Sequence, residues 1–161
     1  MTVSNRTARL WVRGIEPAPQ GSKRYVGGNR ASGGRFIEAS KKLEPFRQAI
    51  GQAVIEHMAK TGDTEPFTGP LEIEAIFVMP RPKTIKRFWP TGAPDLDNLC
   101  RALGDSISLE RYCGGQPLIA DDALVVTWLA QKVYGEPDEI GVYFTVRQAG
   151  IPWHMAENPI F

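Results

Sequence analysis

The sequence predicts a single α+β domain with a four-stranded mixed sheet and two main helices packed on it. Three features point there. Four short segments read as strands, the first and the clearest of them by period-two alternation; apolar residues recur at spacings of three and four in two longer segments; and the two kinds interleave along 161 residues. The first strand falls at residues 8–15, where Leu10, Val12 and Gly14 alternate with Trp11, Arg13 and Ile15. Residues 16–39 read as a basic, glycine-rich loop. Pro17 and Pro19 open it, five glycines fall between Gly21 and Gly34, and it carries Lys23, Arg24, Arg30 and Arg35. A structureless stretch of this length inside a compact domain points to binding or to disorder. A helix is expected over 40–60, because Leu43, Phe46, Ile50, Val54 and Met58 make one stripe. Pro45 is tolerated only in a first turn, which moves the start towards Glu44.

Residues 61–70 form a polar connection. The clearest strand follows at 71–79, with Leu71, Ile73, Ala75, Phe77 and Met79 on one face and Pro80 as its stop. Residues 81–94 form a second loop, holding the four cations Arg81, Lys83, Lys86 and Arg87, no acid, and the pair Phe88–Trp89. The second helix is expected over 95–109, with Leu96, Leu99, Leu103 and Ile107 as its stripe and Pro94 and Asp95 as entry signals. A Gly- and Pro-bearing connection leads to two strands, 123–133 and 141–147, expected to pair as a hairpin about Gly135–Pro137. The tail, 148–161, shows no periodicity. One domain over 1–161 accounts for all of these elements.

Composition excludes several classes. At 42% hydrophobic and 23% charged residues, the chain has the means to build one core. No run of eighteen apolar residues predicts a membrane span, and the first residues lack the apolar stretch of a signal peptide. Cys100 and Cys113 are too few for a disulfide framework or a four-cysteine zinc site, so a reducing, cytoplasmic setting is expected. The net charge of +1 hides an asymmetry: residues 1–94 hold 15 Lys/Arg and 8 Asp/Glu, residues 95–161 hold 4 and 10. A basic half suits phosphate contact, an acidic half suits metal, and simple pairing between the halves accounts for the same counts.

The chemically loaded segment is Asp95-Leu96-Asp97-Asn98. On a regular helix, positions i and i+2 point apart; at a loop-to-helix junction the first residue is free to turn, and both carboxylates can face one cation. The same two acids serve equally as a helix cap and a first-turn acid stabilised by the helix dipole. Asp121-Asp122 stands before an apolar strand, so two acidic pairs lie at element boundaries. Carboxylates from two segments holding one metal are a common arrangement for phosphodiester cleavage. Arg101 lies one turn after Asp97; it is either an i,i+4 partner or a cation for a phosphate, and Asp105 is placed to pair with it. Phe88 or Trp89 is suited to stack on opened bases, and Trp89 equally to fill space beneath its loop. No Walker loop, zinc motif or dinucleotide fingerprint is present.

The run Pro94-Asp95-Leu96-Asp97-Asn98-Leu99, then Arg101-Ala102-Leu103 and Asp105, then Asp121 to Val126 and Lys132, resembles the RusA-type Holliday junction resolvases. Val12-Arg13-Gly14, Pro17 to Arg24, Ser40 to Leu43 and Met79 to Lys83 resemble phage and prophage members of that family. The resemblance spans about residues 10 to 147. It implies a homodimeric, Mg²⁺-dependent endonuclease, with Mn²⁺ able to substitute, that nicks four-way DNA junctions symmetrically in recombination, repair or phage DNA processing. By motif position, Asp95, Asp97 and Asp122 would be the metal-binding catalytic carboxylates and Arg101 the catalytic cation. The family motif usually has Lys where this chain has Arg101; Arg keeps the charge but does not readily shuttle a proton. The stretch before Asp121 is also longer than in short members. Lys23, Arg24, Arg30, Arg35, Arg81, Lys83, Lys86 and Arg87 are the expected DNA contacts. Two alternatives stay open: a branched-DNA-binding protein without catalysis, and a nuclease of broader flap or fork specificity.

Overall fold

A computed structural model describes residues 6–21, 23–27, 34–38, 40–152 and 155, with the side chains of 23–25 and 35–38 outside that description. The elements are β1 (Thr7–Arg13), β2 (Lys23–Val26), β3 (Arg35–Glu38), α1 (Leu43–Thr61), β4 (Leu71–Pro80), α2 (Leu96–Ser108), a 3₁₀ turn (Asp122–Leu124), β5 (Val125–Gly135) and β6 (Gly141–Gln148). The expected α+β domain is present: a four-stranded mixed sheet ordered β1-β6-β4-β5, with both helices packed on it.

Two expectations are corrected. The segment 16–39 is not loop throughout, because β2 and β3 pair antiparallel, Lys23 opposite Glu38 and Val26 opposite Arg35. Lys23-Arg24-Tyr25-Val26 and Arg35-Phe36-Ile37 hold the β-branched and aromatic residues that strands favour, in runs too short for periodicity to register. Strands β5 and β6 do not pair with each other. Strand β4 lies between them, parallel to β5 and antiparallel to β6. Gly135 ends β5 opposite Pro80, and Gly141 starts β6 opposite Val78. The intervening five residues therefore pass over the end of β4, where Pro80 offers no N–H to a further ladder.

The buried face of the sheet is built by period-two alternation. Ala8, Leu10 and Val12 from β1, alternate residues of β4 from Leu71 to Met79, and Val142, Phe144 and Val146 from β6 all point to the helices. Helix α1 supplies Phe46, Ile50, Val54 and Met58; α2 supplies Leu99, Leu103 and Ile107. Among the described residues, no helix covers the opposite face. Trp11 packs edge-on against Tyr143 there, with ring centroids 6.2 Å apart, and Leu129 of β5 is exposed beside Tyr143. No described helix is long and apolar enough to cross a membrane.

Candidate active site

Asp95 is the residue before α2 and has an extended backbone (φ −70°, ψ 142°); its side chain caps no helix N–H. Its carboxylate is thus not consumed by the role a helix start ordinarily assigns to Asp. It lines a hollow of about 310 Å³ with Glu16, Lys42 and Asn98, where Lys42 Nζ pairs with Glu16 at 2.6 Å. The loop end before it is held by β5, since Lys132 Nζ donates to the carbonyls of Gly92 (2.9 Å) and Pro94 (2.8 Å).

Asp97 sits in the first turn of α2 and opens onto a different and larger cleft of about 650 Å³. Cys100, Arg101, Gly104, Asp122 and Trp128 complete its walls. Asp97, Arg101 and Gly104 follow one another at helical spacing, so they form a stripe along α2. Gly104 is seven positions after Asp97, about 10 Å along the helix axis. Asp122 stands beside the far end of that stripe: a Cβ built on Gly104 would lie 3.9 Å from Asp122 Cβ and 3.6 Å from the Trp128 ring. Arg101 therefore lies between two carboxylates along one wall.

The Asp121–Asp122 pair is divided by local geometry. Asp121 turns back on its own chain and accepts the Ala123 N–H at 2.8 Å, capping the 3₁₀ turn. Asp122 is left facing the cleft. Partial burial pushes its carboxyl pKa up, and the neighbouring Asp105 and Asp121 push it further in the same direction.

Asp105 does not pair with Arg101 as expected. It pairs with Arg47 of α1, Nη2 to Oδ2 at 3.3 Å, and Gln20 bridges the two by donating to Asp105 and accepting from Arg47. Arg47 also donates to the Tyr112 hydroxyl at 3.3 Å, and that hydroxyl donates to Glu44 at 2.8 Å. The Gln20 N–H donates to the Asn98 carbonyl at 3.1 Å. Gly21 then crosses α2 so closely that a Cβ would lie 3.1 Å from Asn98 Oδ1 and 3.5 Å from Arg101 Nη1; its φ of +104° suits only glycine. The segment leading into β2 is thus fastened to α2. Sequence reasoning missed this network, although Arg47 falls at i+4 from Leu43 and i−3 from Ile50, a cation inside an apolar stripe.

Among the other expected contacts, Lys83, Lys86 and Arg87 are exposed and make no ion pair among the described residues. Arg81 is engaged within its own loop, donating to the Arg87 carbonyl at 3.0 Å and lying over the Tyr134 ring. Lys23, Arg24 and Arg35 lie on the β2–β3 hairpin, their side chains outside the described set, and Arg30 lies outside the described residues altogether.

Asp97 and Asp122 offer only oxygen donors, and Asp105 and Asp121 add further carboxylates beside Asp122. Both properties fit a hard divalent cation. Among the described residues, no three His, Cys, Asp or Glu side chains are grouped closely enough to hold an ion. Carboxylates and an arginine around an open cleft are the equipment of phosphodiester hydrolysis.

A family model described as Endodeoxyribonuclease RusA matches residues 15–145, from the end of β1 through most of β6. The chain belongs to that family. It is an endonuclease that resolves Holliday junctions, and enzymes of this family are metal-dependent. No curated protein matches the chain.

Proposed function

We propose that Asp95, Asp97 and Asp122, which line two separate hollows on either side of the start of α2, are drawn together around Mg²⁺ as it binds, with Mn²⁺ able to substitute, and that Arg101 contacts the scissile phosphate. The observation that carries this reading is the meeting of Asp97, Arg101 and Asp122 in one cleft, drawn from two segments about twenty-five residues apart. When bound, the metal supplies charge neutralisation at the phosphate and a low-pKa water. Arg101 offers a planar fork of donors to two phosphate oxygens, and its charge stabilises the negative charge that grows there during attack. Asp122 and Asp97 flank it. Asp105, held by Arg47 and Gln20, keeps its carboxylate beside Asp122.

Lys83, Lys86 and Arg87, with Lys23, Arg24, Arg30 and Arg35 of the hairpin region, would follow the backbones of the junction arms, while Arg81 shapes its loop. The whole chain acts as one cytoplasmic endonuclease unit in this reading. Two copies pair through the open sheet face, where Trp11, Tyr143 and Leu129 are exposed. A two-fold dimer matches the two-fold character of a four-way junction and places one cleft on each of two strands.

The test is product mapping on a bound four-way junction in Mg²⁺ and in EDTA. Paired nicks at symmetry-related positions in Mg²⁺ alone are expected. Binding with no cut in either Mg²⁺ or Mn²⁺ would contradict the assignment.

A further inference from the structure

The loop 81–94 holds two large aromatic side chains that the core does not use. Phe88 is 79% exposed and Trp89 50% exposed, and they meet edge to face with ring centroids 5.8 Å apart. Leaving this much aromatic surface in water has a cost of order kilocalories, which a fold recovers only through a partner.

The backbone beneath the pair is fixed. Pro90 is buried, the Thr91 N–H bonds to the Trp89 carbonyl at 2.9 Å, and Arg81 ties back to the Arg87 carbonyl while resting on Tyr134. Lys132 grips the carbonyls of Gly92 and Pro94. Packing under the loop is therefore done by Pro90, and both rings are presented outward on a braced support.

The surroundings decide which partner fits. Four cations and no acid lie between 81 and 94, so the flank attracts polyanions. Flat rings beside free cations are the combination that binds unpaired nucleotides, with bases stacking on the rings and phosphates meeting the cations. The loop leads directly into Asp95, six positions after Trp89.

We propose that Phe88 and Trp89 form a stacking platform for bases unpaired at the branch point, so that the two rings read the junction while the loop's cations follow its arms. This rests on the reading that the cleft cuts junctions. Base-aromatic stacking adds affinity only where bases are open, so it separates branched from linear DNA where phosphate contact does not.

The experiment uses the full chain and a mobile four-way junction carrying 2-aminopurine at the crossover, with linear duplex of the same sequence as comparison. Wild-type protein in EDTA should raise the 2-aminopurine signal. The Phe88→Ala/Trp89→Ala protein should lose that rise and bind the junction about 10- to 100-fold more weakly, with duplex binding changed less than about twofold. Trp89→Phe, which keeps a ring, should retain most of the wild-type behaviour. A junction with a mismatched, already open centre should recover much of the lost cleavage in the double variant. Equal losses on junction and duplex, or an unchanged 2-aminopurine signal, would overturn the platform. A change in sedimentation of the double variant would assign the pair to a contact between copies instead. Wild-type cleavage of the same junction in Mg²⁺ is run beside these. Cleavage with no 2-aminopurine response rejects the platform alone, and absent cleavage rejects the functional reading and the platform with it.

Discussion

Asp122 illustrates how one side chain links stability to function. Its carboxyl pKa is raised in the folded protein, first by burial and then by Asp105 and Asp121. The folded state therefore holds this proton more tightly than the unfolded chain does, and the site weakens the fold as pH rises through the folded pKa. Asp122→Asn should consequently be more stable than wild type at pH 7 to 8, with the gain vanishing as pH falls below the carboxylate range; urea unfolding at several pH values reads this directly. The same substitution should abolish cleavage, the trade expected where a strained charge is kept for chemistry. Arg101→Ala should lower kcat by about 10²- to 10³-fold with junction binding little changed, while Arg101→Lys should keep most activity if the role is electrostatic. Cys100 lies in the same cleft, and burial followed by the Asp97 charge pushes its pKa up to about 11. At pH 8 only about one thiol in a thousand is ionised, so alkylation should be very slow and should accelerate tenfold per pH unit.

At the scale of elements, α1 and α2 are joined by polar contacts as well as by their stripes. Arg47 is mostly buried and meets Asp105, Gln20 and Tyr112, so truncating it strands a carboxylate beside Asp122. Arg47→Ala should destabilise the fold by about 3 kcal/mol and also reduce cleavage, measured by denaturant unfolding beside junction kinetics. Gly51 faces the connection after α2, where a Cβ would run into the Tyr112 carbonyl; Gly51→Ala should cost about 3 kcal/mol despite alanine's better helix propensity. The long elements were legible because α1, α2 and β4 carry ten or more residues of clean periodicity. The β2–β3 hairpin was not, because four-residue strands between glycines carry no measurable period. Arg47 was hidden for the opposite reason: apolar periodicity is counted from hydrophobes, and a paired cation within the stripe is invisible to it.

For the whole molecule, the sheet order β1-β6-β4-β5 brings the acidic segments together. Sequence adjacency suggested a β5–β6 hairpin; the placement of β4 between them follows from long-range pairing, which no local pattern encodes. Because β5 runs parallel to β4, the chain must return from α2 to the start of β5, and that return puts Asp122 beside Gly104. The acidic pairs were legible as motifs, whereas their shared cleft, and the separate hollow at Asp95, depended on this topology. The open sheet face gives a prediction at the same scale: Leu129→Glu, placing charge on an exposed apolar surface, should shift sedimentation towards monomer while leaving the thermal midpoint within a few degrees of wild type.

The cleft shared by Asp97, Arg101 and Asp122 is proposed as the place where junction DNA is cut. The most direct measurement is cleavage of a mobile four-way junction and of linear duplex by wild type and Asp122→Asn, in Mg²⁺, with junction binding measured on the same samples. Paired symmetric nicks by wild type, spared duplex, and tight binding without cutting by the variant are the predicted result. Cutting by Asp122→Asn at the wild-type rate would contradict it.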